Sequence, residues 1–226
     1  STLRAVAKAP LVPVSAGLTP LPMESHSAKE TQAGHAQEKT NTAEAAGDPH
    51  FWMSPRHVIS WTHTIAEILS SADPQHADAY ARRAEEYRTE LRELDRWIRD
   101  RVKELPKERR TLVTDHYSLT YFAAEYGFRI AGVILPSGTD ASSPSARRLG
   151  QLVQTIEREQ IPAVFIGETA GQELRSLAAT LKAEASGNLK IVPLLTGSLA
   201  APGEEGDTYL EYMRSNTRRI VSALQP

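Results

Sequence analysis

The strongest constraint on this fold is a helix too long for one small lobe. From Pro74 to Leu105, the apolar positions Tyr80, Ala84, Tyr87, Leu91, Leu94, Ile98, Val102 and Leu105 recur at three- and four-residue spacing. That spacing keeps one face of an α-helix apolar. At 1.5 Å per residue, such a helix reaches about 45 Å. A rod of that length can run as a stiff spine between two lobes. The competing arrangement is a coiled coil, but this stripe is aromatic and irregular where a coiled coil repeats in heptads.

Beyond Pro106 the pattern changes to strands alternating with helices. Strands are expected at 111–114, 128–135, 163–166 and 189–195, and helices at 117–126, 144–160, 170–186 and 207–224. Such alternation implies a parallel sheet covered on its faces. Ahead of the spine, Ser54 as N-cap and Pro55 at the first helical position start a helix that runs to about Ser71. Leu11-Val12-Pro13-Val14 is an edge strand at best, because its proline cannot donate to a ladder. The predicted fold is therefore α/β, a parallel-type sheet flanked by helices, with one long helix that can join two lobes. Residues 1–73 form a truncated N-terminal lobe, 74–105 the linking helix and 106–226 the C-terminal lobe. So little precedes the first apolar run that a further segment is expected upstream of Ser1, and the opening residues carry no export-signal pattern.

Composition narrows the function classes. The 226 residues carry a formal net charge of −2, which argues against a nucleic-acid partner. No apolar run approaches the roughly 20 residues that span a bilayer. Cysteine is absent, so any metal site must be built from His, Asp and Glu. Residues 24–48 lack large apolar side chains and read as a flexible loop. That loop holds His26 and His35, either a weak metal-collecting pair or simply part of a disordered insert.

Four places could carry chemistry, one of them the loop Leu195-Thr196-Gly197-Ser198-Leu199 after a strand, which offers a hydroxyl and backbone but no carboxylate. Asp48-Pro49-His50-Phe51-Trp52 joins the loop to a helix start, and His50 is either a nitrogen ligand or a surface histidine. Thr114-Asp115-His116-Tyr117 directly follows a strand, where ligand sites of α/β sheets gather. His116 is a ligand, or a bystander beside a capping Thr/Asp. Glu168 also follows a strand. It is a metal ligand, an acceptor for a histidine N–H, or a helix cap. His57, His63 and His76 read as ordinary surface or helix positions, and Asp207 as the N-cap of the last helix. H-E-x-x-H, P-loop, dinucleotide and G-x-S-x-G motifs are all missing.

Taken in order, several stretches resemble the cluster A-I solute-binding proteins, the zinc- and manganese-uptake binding proteins of bacterial importers. They are Asp48 through Pro55, Thr114 through Tyr117 with Tyr121 through Gly127, Pro144-Ser145-Ala146 with Leu149 and Leu152, Val164-Phe165 with Glu168, and Tyr209 through Asn216. The resemblance implies two α/β lobes with a metal held between them by four side chains. His50 and His116 match two of those ligands. The first His of the family pattern has no counterpart here, and the usual Asp is Gly197. Glu168 matches a position near the site, as a supporting or substitute ligand, and Asp207 is a more distant substitute. A His at the position of His116 implies the zinc type, in keeping with the preference of imidazole for zinc; manganese is the second candidate.

The resemblance further implies an extracytoplasmic protein, periplasmic or anchored at the cell surface. It would act as a monomer and deliver a divalent metal ion to the membrane permease of an ABC importer, without being an enzyme. Two other readings stand beside it. One is a metal-dependent hydrolase with Glu168 as its base. The other is a relative that has lost its metal and acts as an adhesin or partner-binding module, which the glycine at position 197 would suit.

Overall fold

The computed structural model describes residues 11–22, 47–135 and 145–225. Residues 24–46 of the expected loop, with His26 and His35, lie outside these, as does Pro144. Among the described residues there is one sheet, of four parallel strands: β1 (Thr111–Thr114), β2 (Arg129–Val133), β3 (Ala163–Gly167) and β4 (Lys190–Leu194), in the order β2-β1-β3-β4. The helices are α1 (Pro55–Ala72), α2 (Ala77–Lys103), α3 (Thr120–Tyr126), α4 (Ala146–Arg158), α5 (Gln172–Glu184) and α6 (Tyr209–Leu224). The expected edge strand is absent; Leu11–Pro13 is irregular and residues 14–17 form a turn.

Strand alternation divides the core between the two faces of the sheet. Leu112 and Phe165 face a cluster that includes Leu91, Leu94, Ile98 and Val102 of α2, Phe122 of α3, and Met213, Ile220 and Leu224 of α6. Val113, Val164 and Ile166 face the other cluster, with Leu152, Val153 and Ile156 of α4 and Ala178 and Leu181 of α5. The result is a three-layer sandwich. Where α4 crosses β2 the approach is close: a Cβ at Gly132 would lie 2.6 Å from Leu152 Cδ1. Helix α3 ends at Gly127, whose φ of 74° is the left-handed conformation that closes helices.

The long helix is interrupted once at its start. Pro74–His76 forms a single 3₁₀ turn, and α2 then runs for 27 residues, about 40 Å. Its two halves differ. Every buried residue of α2 lies from Leu91 onward. Its first half packs along α1, where Ile65 and Leu69 remain exposed.

The strand order fixes where a ligand can sit. From β1 the chain passes first to β2 on one side, then to β3 on the other. The ends of β1 and β3 therefore part at a switch point, where crevices open beyond the carboxyl ends of parallel strands. Asp115 and His116 follow β1 there, and Glu168 follows β3.

Candidate metal centre

The site is built from two His–Asp pairs. On the β1 side, Asp115 is buried and anchored across the switch point. Its backbone N–H donates to Phe165 O at 2.9 Å, and its Oδ2 accepts from the Gly167 N–H at 2.8 Å. Oδ1 accepts from the His116 backbone N–H at 2.7 Å and lies 2.9 Å from His116 Nδ1. Thr114 Oγ1 donates to His116 O at 2.7 Å, fixing the turn between strand and helix.

The second pair repeats this chemistry on irregular backbone. Asp48 Oδ1 accepts from the His50 backbone N–H at 2.8 Å and lies 2.7 Å from His50 Nδ1. The next residues, Phe51–Met53, form one 3₁₀ turn with Met53 buried, and Ser54 then leads into α1. Ser54 is the N-cap by position, but its hydroxyl makes no cap hydrogen bond.

A carboxylate can only accept, so each Nδ1 donates, and in the neutral ring Nε2 keeps its lone pair. The two rings are neighbours, with centroids 5.2 Å apart and planes tilted by 59°. Two imidazoles sharing one tetrahedral zinc through nitrogens at 2.0–2.1 Å place their ring centres about 5 Å apart. Trp52 walls the site, its ring edge-on to His50 at 5.3 Å.

Electrostatics keeps these pairs polarised. Burial is the largest influence on His116 and opposes its charged form. The hydrogen bond and charge of Asp115, with the charge of Asp48, outweigh it, and the His116 pKa sits above its ordinary value. Burial likewise works to raise Asp115 and Asp48. Hydrogen bonds and charge from their histidines, with backbone N–H groups, hold both carboxyls below the usual range.

Glu168 does not join the two histidines. Its carboxylate pairs with Arg219, which also donates to Pro193 O at 3.0 Å. Among the described residues no group of three His, Asp or Glu side chains could hold a metal. The loop of Gly197 does reach the site. Thr196 O accepts from Trp52 Nε1 and from the Tyr212 hydroxyl, each at 3.0 Å. A Cβ at Gly197 would meet nothing within 4 Å, so there is open space beside it. Asp207 is not a cap: its carboxylate accepts from the Gly203 N–H at 2.8 Å, and Thr208 caps α6 by accepting from the Glu211 N–H at 3.3 Å. His57 lies closer to the site than an ordinary helix position would suggest, edge-on to Tyr121 at 5.0 Å.

Sequence reasoning missed the two carboxylates as ring holders. The signal was available, because Asp stands two residues before His50 and one before His116.

The model of the ZnuA family, zinc-uptake complex component A periplasmic, matches residues 1–223. The manganese-binding lipoprotein MntA of Bacillus subtilis (strain 168) is 33% identical over 184 residues, covering 79% of this chain and 58% of that protein. The solved structure of the periplasmic zinc binding protein TroA from Treponema pallidum superposes with a TM-score of 0.72 at 28% identity, covering 81% of this chain and 66% of that one. The Mn-bound periplasmic metal binding protein from Candidatus Liberibacter asiaticus shares the fold, with a TM-score of 0.73 at 22% identity over 95% of this chain and 71% of that one. The chain spans less than two thirds of the length of MntA.

Proposed function

Because the chain belongs to the family of zinc-uptake complex component A periplasmic proteins, we propose that it captures a divalent transition metal, zinc ahead of manganese, for an ABC importer. His50 and His116 are the ligands, each through Nε2. The observation that carries this reading is the pair of carboxylate-held rings at 5.2 Å, the spacing of two imidazoles on one ion. Imidazole donors favour zinc over manganese, although MntA, the relative quoted at 33% identity, is named for manganese. Glu168 serves as an anchor for Arg219 and lends the site neither a ligand nor a base, which favours capture over hydrolysis.

The protein works outside the cytoplasm, periplasmic or anchored at the cell surface, as a monomer that hands its ion to the membrane permease. Among the described residues no helix is long and apolar enough to cross a membrane. The division into lobes at the 74–105 helix belongs to the same proposal.

Calorimetric titration of metal-free protein with zinc and with manganese tests it. Zinc should bind with the higher affinity, and His50→Ala or His116→Ala should each weaken it by about a hundredfold or more, since a ligand lost is binding free energy lost. Zinc affinity unchanged in both variants would overturn the assignment.

A further inference from the structure

Tyr121 lies outside the set of metal ligands, yet it touches the backbone that carries one of them. Its hydroxyl donates to Asp48 O at 2.7 Å and accepts from the Leu21 N–H at 3.1 Å. The Asp48 N–H donates to Leu21 O at 2.9 Å. Leu21 and Asp48 therefore make one direct backbone bond, and the Tyr121 hydroxyl bridges the place where a second would lie. The ring of Tyr121 is buried, stacked on Phe51 at 4.9 Å and 27°. The bond to Asp48 O is thus made away from water, where a missing partner is costly.

This contact has a direction. Asp48 is the residue whose carboxylate holds the His50 ring, and Tyr121 stands in α3, which follows His116. The elements around residues 47–53 give His50 no strand to stand on. Besides the Leu21–Asp48 backbone bond, the stretch is tied by side chains: the Tyr209 hydroxyl donates to Trp52 O at 2.8 Å, and Trp52 Nε1 donates to Thr196 O. The tie from Tyr121 falls on the Asp48 carbonyl, beside a bond from Thr120 to the Asp48 carboxylate.

We infer that Tyr121 is a positioning residue for the metal site, setting the His50 ring against His116 by fixing the backbone of Asp48. The inference rests on the metal-capture reading above. Phenylalanine at this position keeps the stacking and removes both hydrogen bonds, so the Asp48 backbone is left with the Leu21 bond as its tie across the site while the His116 pair is untouched. Outer partners of this kind change metal affinity by about 10–100-fold when removed.

The test is zinc titration of the full chain in wild type, Tyr121→Phe, Asp48→Asn, Asp115→Asn and the two double variants with Tyr121→Phe. Tyr121→Phe should weaken zinc about tenfold. Combined with Asp48→Asn it should add little, because both act through His50; combined with Asp115→Asn the losses should multiply. By NMR, the Nδ1 proton of His50 should lose protection in Tyr121→Phe while that of His116 keeps it. A general loss of packing would not sort the two histidines in this way. Should the Phe variant not fold, the wild-type protein still decides: the Tyr121 hydroxyl proton should exchange slowly and shift on zinc addition. Wild-type affinity in Tyr121→Phe, losses that multiply equally with both Asn changes, or a hydroxyl proton indifferent to zinc would each overturn the inference. If wild type binds zinc and these fail, only the role of Tyr121 falls; if wild type binds no metal, the capture reading falls with it.

Discussion

His50 and His116 carry the same chemistry on two very different supports. His116 stands at the end of a central parallel strand, and its Asp115 is bonded across to the neighbouring strand at Gly167. His50 stands on a stretch with no ladder, and its Asp48 is held by a tyrosine from elsewhere in the chain. One support is a property of sheet topology. The other is assembled from side chains distant in sequence. A metal bound by both histidines joins a stiff half-site to one whose geometry depends on a few hydroxyl and indole bonds.

Replacing the two carboxylates in turn separates these supports most sharply. Asp115→Asn and Asp48→Asn should each weaken zinc by about 10–100-fold. Asp115→Asn should also lower the melting temperature more, because the Asp115 carboxylate accepts backbone N–H groups from both sides of the switch point. Calorimetry with thermal melts checks both. Equal melting losses would remove the distinction.

The pH dependence sharpens the comparison from the His116 side. Its folded pKa lies above the ordinary 6.5. The stability it contributes to metal-free protein is therefore complete below that value and is lost as pH rises through the raised one. The depressed Asp115 contributes stability above its ordinary 3.8, and this is lost as pH falls through the lower folded value. Zinc must displace the His116 proton, so its affinity should fall about tenfold per pH unit once pH drops below the raised value. Melts and titrations between about pH 5 and 8 should show metal-free stability and metal affinity moving in opposite directions.

Gly167→Ala probes the stiff support by crowding it. The new Cβ would lie 2.8 Å from Thr196 Oγ1 and 3.4 Å from Asp115 Oδ2. Overpacking of this sort costs about 1–3 kcal/mol, read as a lower melting temperature, and zinc should weaken several-fold as Asp115 is displaced. Trp52→Phe probes the assembled support and should do least. It removes one donor from Thr196 O while Tyr212 still donates there, a loss of about 1 kcal/mol and a small change in zinc affinity by titration.

The stiff half-site was legible in the sequence because it follows local rules. A strand followed by a Thr-Asp-His turn places ligands at a sheet end whatever the rest of the chain does, and the long helix showed in its spacing alone. The same strand-end rule suggested Glu168, where a distant partner decides instead: Arg219 of α6 takes its carboxylate. The cap of α6 went to Thr208 over Asp207 because Thr208 stands three residues before Glu211, whose N–H it receives. The support of His50 was not legible, since it depends on Tyr121 and Tyr209 arriving from later elements. What could be read there was the residue type, with no indication of what holds it.

The unequal halves of α2 bear on how this protein moves. Among the described residues its later half carries every buried position of the helix, while its earlier half packs along α1 and reaches the core through Tyr87, so the helix is rooted more firmly at one end than at the other. A load applied near Ala77 is carried as bending moment to the root at Leu91–Val102, beside α3 and α6, the helices that carry Tyr121 and Tyr212. Whatever engages the α1 end of the helix therefore bears on the elements that frame the metal site.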